Sequence, residues 1–398
     1  MLSGYRDYIV IFTTDKTGID MDLEKVTVGF IGAGGIARSH AYALNSLKYF
    51  YDDAPEIDMA AVCSSTPGKR ELFAKKFGFS RPCELQQFIA DERTDTVFIL
   101  GPNKVHYEHL RATLGMSSVK RIYLEKPVCS DESEEEGIKK LISIHKNTRI
   151  QVGFQFLFTP AIREALSFWK TGRLGKPVHF DLKYYHGDYL KKDYRNRRAS
   201  RLTPAPDGGA MADLGSHAIS LLLAFLGNEF LITGALQSGD YDDVPAGSDL
   251  FSLISLLDQK TGAVGTLSAS RISSGTGDNL SLHIHAEKGA LRISSETPDY
   301  FEYYTEESGL WTKHMTGSRY PSLSAFPSGH VPPGWLRSMI HAHYVFLKSG
   351  SSEVFIPDIE HGLSVQRILS QTAEHMKTFR KVKDAGPYLS DIRGNVNS

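Results

Sequence analysis

The chain has 398 residues, with 45 Lys and Arg against 46 Asp and Glu for a formal net charge of −1, and 41% hydrophobic residues. At about 150 residues per domain this length holds two or three domains, and a charge so near zero lacks the basic excess on which nucleic-acid and anionic-membrane binders rest. Cys63, Cys83 and Cys129 cannot close a disulfide framework and form no Cys-x-x-Cys pair, and no apolar run approaches the roughly 18–20 residues that span a bilayer. A soluble, cytoplasmic protein acting on a small molecule is therefore expected.

Residues 1–24 fit no later pattern and read as an N-terminal extension, with Met21 the expected native start; a native mass that includes residues 1–20 overturns this. From 25 to 148, strand-like runs at 26–31, 57–63, 96–100 and 120–124 alternate with helical patterns at 35–47, 67–77 and 104–114. Such alternation predicts a doubly wound parallel sheet, a Rossmann domain over 25–148. The run Ser130-Asp131-Glu132-Ser133-Glu134-Glu135-Glu136 loads acid at a helix start, and Lys139, Lys140, His145 and Lys146 load its end, which suits the helix dipole.

The first strand turns through Gly32-Ala33-Gly34-Gly35-Ile36-Ala37 into a helix, a Gly-x-Gly-x-x-Ala pattern. Glycines there allow a tight turn and let a pyrophosphate approach helix N–H groups, so Gly32, Gly34, Gly35, Ile36 and Ala37 are expected at a dinucleotide; a plain glycine turn is the alternative. At the end of the second strand, Ser64-Ser65-Thr66 stands where an acid for the ribose 2′-hydroxyl is expected. Ser64, Ser65 and Lys69, with Arg70, instead suit a 2′-phosphate, which leans the cofactor choice between NAD and NADP toward NADP, although neutral hydroxyls also serve NAD. The strand at 120–124 delivers Glu125-Lys126-Pro127 to a carboxyl edge, where open α/β sheets bind ligands. Lys126 is placed there for proton transfer, or else is a solvated strand-end lysine.

Beyond 149, strand-like stretches at 150–156, 178–186, 231–237, 250–257, 263–272, 281–286 and 290–294 follow one another, many without helices between them. They predict an α+β domain over 149–398 with an open, mainly antiparallel sheet, closed by helices at 335–348 and 360–378. The apolar run 208–227 reads as a helix on which Asp213, Ser216, His217 and Ser220 form one polar stripe. An Asp213–His217 bond satisfies a buried histidine, or fixes its tautomer for acid–base work. Residues 191–201 hold six bases, among them Arg195, expected either at an acidic or phosphorylated sugar or in a solvated loop or subunit contact. Tyr185 and Trp335 offer aromatic faces to a pyranose. His283 and His285 alternate in a strand with no carboxylate or cysteine to complete a site, so no metal is expected.

Together these motifs resemble the Gfo/Idh/MocA family (glucose–fructose oxidoreductase, inositol dehydrogenase, rhizopine catabolism) of sugar and polyol dehydrogenases, over roughly residues 26–380. The resemblance rests on Gly32-x-Gly34-x-x-Ala37, Gly101-Pro102-Asn103-Lys104-Val105-His106, Glu125-Lys126-Pro127, Asp213-x-Gly215-x-His217 and Pro357-Asp358-Ile359-Glu360-His361-Gly362-Leu363. It implies Lys126, Asp213 and His217 as the catalytic group, with either Lys126 or His217 as the base, and Pro102, Asn103, His106, Glu125 and Pro127 beside the nicotinamide. It further implies a Lys126–Pro127 bond that is commonly cis, and a homodimer or homotetramer through the flat sheet face. The implied reaction is NAD(P)-dependent oxidation of a secondary hydroxyl on a sugar, glycoside or cyclitol, or reduction of a keto-sugar. Glycoside cleavage with tightly held NAD and a non-enzymatic dinucleotide sensor are the alternatives within the fold. Ser220 stands where many members carry Asp, and the stretch 153–158, with Gln155, lacks their basic residue. Both positions usually touch substrate, so the identity of the sugar does not carry over.

Overall fold

The computed structural model describes residues 24–384 apart from 52, 205–207, 240, 317–332 and 349–354, so Met21 and the extension up to residue 23 lie outside it. Strands β1 (Lys25–Ile31), β2 (Glu56–Cys63), β3 (Arg81–Cys83), β4 (Thr96–Ile99), β5 (Arg121–Leu124) and β6 (Arg149–Val152) form a parallel sheet in the order β3-β2-β1-β4-β5-β6. All four residues of β4, Thr-Val-Phe-Ile, are buried, as expected of a strand covered on both faces. The connecting helices are α1 (Gly35–Ser46), α2 (Pro67–Phe77), α3 (Leu85–Ile89), α4 (His106–Leu114) and α5 (Glu132–Ile144). Asp131 caps α5 by accepting the Glu134 N–H, so the acidic run is a helix start. Phe30 packs against Phe79 and Phe98 with ring centroids 4.8 and 5.2 Å apart; burying each such ring stabilises by roughly 1.5–3 kcal/mol.

The strand expected at 150–156 in the second half instead completes the first sheet as β6, in parallel register with β5, and the chain then turns through a 3-10 helix at Gln155–Phe158. A strand this short, with only Ile150 and Val152 apolar, reads alike in either kind of sheet; its neighbour, β5, decides.

The second sheet contains β7 (Pro177–Tyr185), β8 (Phe230–Ser238), β9 (Phe251–Asp258), β10 (Val264–Ser270), β11 (Asn279–Ala286), β12 (Gly289–Ser294), β13 (Tyr300–Thr305) and β14 (Leu310–Met315), ordered β14-β13-β12-β11-β7-β10-β9-β8. Its ladders are antiparallel except β7–β10, which is parallel. Along β7, Phe180, Leu182 and Tyr184 are buried while His179, Asp181 and Lys183 are exposed, so one face is covered and the other open. Helices in this half are α6 (Pro160–Lys170), α7 (Lys192–Arg197), a π-helix at Met211–Gly215 that runs into α8 (Ser216–Leu226), α9 (Pro333–Leu347) and α10 (Ile359–Asp384). α9 returns to the first half, where Met339, Ile340, Phe346 and Leu347 share a core with Val26, Phe30 and Phe98. Among the described residues no helix is long and apolar enough to cross a membrane.

Candidate active site

The parallel sheet reverses its strand order between β1 and β4, which opens a crevice at the carboxyl ends of the strands. Gly32 leaves β1 with φ +125°, and a Cβ there would lie 2.8 Å from the Leu100 carbonyl carbon, so the turn requires glycine. α1 begins after Gly34 with no side-chain cap and no acid in its first turn, and a Cβ on Gly34 or Gly35 would meet nothing within 4 Å. Its N–H groups thus face open space, and the pyrophosphate of a dinucleotide fits there. Ile36 is half-buried, and Ala37 is buried against the sheet. Beyond β2, Ser64 is half-buried while Ser65 and Lys69 are exposed. Arg70 donates to the Ser64 carbonyl at 3.0 Å and to Glu84 Oε1 at 3.3 Å. After β4, Pro102 is exposed and Asn103 half-buried. His106 lies between the carbonyl oxygens of Pro127 (2.6 Å from Nδ1) and Gly101 (2.9 Å from Nε2), tying the two loops together. Burial holds its pKa below the usual histidine value.

At the end of β5 two charged neighbours part. Glu125 turns inward and accepts from His40 Nε2 at 2.8 Å, and the other nitrogen of His40 is 2.9 Å from His343 Nε2. A Cβ at Gly153 would come within 2.8 Å of Glu125 Oε1, so this packing also requires a glycine. Lys126, joined to Pro127 by a cis peptide bond, turns the other way and donates to the Asp213 carbonyl at 2.7 Å and to Asp213 Oδ1 at 2.9 Å. Asp213 lies in a π-helix at 211–215, and its carbonyl also accepts from Ser216 Oγ at 3.2 Å. Arg271, just past β10, donates to Asp213 Oδ2 at 2.8 Å and to the Arg201 carbonyl at 2.7 Å. Arg201 Nη1 completes the cluster 3.4 Å from Asp213 Oδ1. Burial alone pushes the Asp213 carboxyl up, but Lys126, Arg201 and Arg271 outweigh it and hold the group well below the usual range.

His217, one turn on, stands in different surroundings. Phe156, Tyr184 and Phe154 surround its ring, with centroids 5.1, 5.9 and 6.0 Å away and steep interplanar angles. Its Nδ1 is enclosed without a hydrogen-bond partner. Burial, with Lys126 adding to it and Asp213 only partly opposing, holds its pKa well below the usual value, so the ring is neutral at neutral pH. Asp213 thus holds Lys126 and Arg271, and does not form the bond to His217 considered from their spacing. Behind this box, Ser220 Oγ lies 2.9 Å from His361 Nε2, and burial lowers the His361 pKa to about 4.

The structure therefore brings Lys126, Asp213 and His217 together. Gln155 is buried in the 3-10 turn between the two phenylalanines that flank His217. Tyr184, not Tyr185, faces His217, because successive residues of β7 point to opposite faces; the Tyr185 hydroxyl lies 2.6 Å from Ser268 Oγ. Arg195 is not brought to the cluster: it is buried, grips Asp243 with two bonds of 2.8 Å, and donates to the carbonyls of Tyr189 and Leu190. The Trp335 side chain lies outside the described residues. Sequence reasoning missed Arg271 and Arg201 as partners of Asp213. One available signal was that Arg271 carries the sole charge in the strand-like stretch 263–272.

Residues 26–154 match the GFO/IDH/MocA oxidoreductase family, NAD-binding Rossmann fold, and residues 162–292 match the GFO/IDH/MocA C-terminal domain. The chain is 25% identical over 304 residues to levoglucosan dehydrogenase of Pseudarthrobacter phenanthrenivorans, covering 70% of this chain and 75% of that one. It is 24% identical over 277 residues to scyllo-inositol 2-dehydrogenase (NAD(+)) of Bacillus subtilis, covering 68% and 74%. Levoglucosan dehydrogenase in complex with NADH and levoglucosan superposes with a TM-score of 0.73 at 21% identity, over 88% of this chain and 97% of that one, a likeness of fold.

Proposed function

The chain belongs to the GFO/IDH/MocA family of NAD-binding oxidoreductases, and we propose that it transfers hydride between NAD and a secondary hydroxyl of a sugar, glycoside or cyclitol, or reduces the matching keto-sugar. The observation that carries this reading is the meeting of Lys126 Nζ with the carbonyl oxygen and Oδ1 of Asp213 at the carboxyl edge of the parallel sheet, beside the open N-terminus of α1. Gly32, Gly34 and Gly35, backed by Ile36 and Ala37, hold the pyrophosphate, and Pro102, Asn103, His106 and Pro127 form the nicotinamide side. Glu125 serves from behind, since it is turned toward His40. When bound, NAD supplies the hydride acceptor.

The protein's own groups divide the remaining work. The Lys126 ammonium, fixed by Asp213, polarises the substrate oxygen. His217, kept neutral by burial and by Lys126, takes the hydroxyl proton on Nε2, the nitrogen that is not enclosed. In the reductive direction the same two groups act in reverse. Exposed Lys69 beside Ser64 and Ser65 supports use of NADP, while Arg70 is already engaged by Glu84. Three buried, unpaired cysteines support a cytoplasmic location. Val178, Leu231 and Val264, about half exposed on the second sheet, support a homodimer or homotetramer.

The test is absorbance at 340 nm with NAD and NADP in parallel, against hexoses, anhydrosugars, glycosides and inositols, and with NADH and NADPH against keto-sugars. Reduction or oxidation of the nicotinamide with one class is expected. A protein that binds the dinucleotide and changes its redox state with none of them overturns the reading.

A further inference from the structure

One carboxylate, Asp213, faces three cations, and they are held unequally. Lys126 has two bonds to Asp213, and Arg271 has one to Asp213 and one to the Arg201 carbonyl, all between 2.7 and 2.9 Å. Their side chains are 13% and 1% exposed. Arg201 touches Asp213 only at 3.4 Å, its side chain is 52% exposed, and among the described residues this is its single side-chain bond. It shares one oxygen, Asp213 Oδ1, with Lys126, so its guanidinium stands next to the ammonium that polarises the substrate.

The neighbouring acids are engaged elsewhere. Asp249 accepts from the Met211 N–H at 2.8 Å and from Ser252 Oγ at 2.5 Å, Asp278 accepts from the Tyr184 hydroxyl at 3.2 Å, and Glu125 accepts from His40. Outside the cluster, Lys191, Lys192, Arg197 and Arg198 are exposed on the same basic segment, whereas Arg195 is neutralised by Asp243. Positive charge is thus left at the site, with one loosely held guanidinium to express it. The planar fork of a guanidinium matches the paired oxygens of an oxyacid.

We propose that the substrate carries an anionic oxyacid group, a carboxylate or a phosphate, a few bonds from the oxidised carbinol, and that Arg201 leaves Asp213 to bind it. The inference rests on the sugar-dehydrogenase reading and names the substrate class of that site.

The experiment compares D-glucuronate, D-gluconate and D-glucose 6-phosphate with D-glucose, in wild type, Arg201→Ala and Arg201→Lys. It reads kcat/KM at 340 nm and, by calorimetry on the NADH complex, binding without chemistry. Wild type is expected to favour an acidic sugar by roughly 10- to 100-fold, the scale of a charged hydrogen-bonded pair. Arg201→Ala should bring the acidic-to-neutral ratio near one, and Arg201→Lys should restore part of it. Preference among the three acids separates carboxylate from phosphate. Turnover of D-glucose with no preference for an acid, or an equal loss on both in Arg201→Ala, overturns the inference and leaves the dehydrogenase reading standing. Acid binding that Arg201→Ala removes, with no turnover, keeps the inference and removes that reading. The absence of both acid binding and acid preference overturns the inference.

Discussion

Lys126 and His217 reach one cleft from opposite halves of the molecule, and their surroundings differ in kind. Lys126 sits in an ionic cluster, in which Lys126, Arg271 and Arg201 all come within bonding reach of Asp213. His217 sits in an aromatic box, with Phe154, Phe156 and Tyr184 around a ring whose Nδ1 has no partner. The contrast teaches that a charge is kept where it is compensated, and a neutral base where burial outweighs the nearby carboxylate. In the proposed reaction one side of the cleft polarises oxygen and the other receives the proton.

The sharpest way to break this contrast is to remove each group. Lys126→Ala and His217→Ala should each lower kcat by about 10²–10⁴-fold while NADH fluorescence reports nearly unchanged cofactor binding. Their pH–rate profiles should differ, because only His217→Ala removes the proton acceptor; near-native turnover, or identical profiles, would erase the distinction. On the ionic side, Asp213→Asn strands the buried Arg271, and the expected loss of stability is about 3–5 kcal/mol in urea unfolding. An unchanged midpoint would mean that Arg271 has another counter-charge. On the aromatic side, His361 stands behind Phe154 with ring centroids 5.6 Å apart and a pKa near 4. Its folded pKa is depressed, so the unfolded chain binds the proton first; the associated stability is complete above about pH 6.5 and is lost as pH falls toward 4. That loss amounts to roughly 3 kcal/mol. His361→Gln should flatten the fall of the melting temperature over this range, and an unaltered slope would place the titration elsewhere.

Much of this was legible in the chain. Alternating strands and helices announced the parallel sheet because each period is local, and Lys126, Asp213 and His217 stood in recognisable strings. β13 and β14, by contrast, lie outside the expected strands, and β6 belongs to the first sheet and not the second; so short a strand, with Ile150 and Val152 its only apolar residues, carries no record of its neighbour. Arg195 is neither at the cluster nor in a solvated loop, and charge composition says nothing of Asp243, its partner 48 residues away. The Asp213–Arg271 pair escaped for the same reason, since the two are separated by 58 residues and meet only once β10 has been placed. That Asp213 holds Lys126 and Arg271, and not His217, is a long-range pairing for which the polar spacing gives no sign.

The contact of His40 with His343 spans 303 residues of sequence, and α9 supplies one wall of the core around β1 and β4. On the ribosome, at about 5–20 residues per second, that wall arrives roughly 15–60 s after the strands it covers. For that interval the nucleotide-binding half has an uncovered apolar side, and slower synthesis lengthens the exposure. A chain that stops short of α9 would lose the half that was made first.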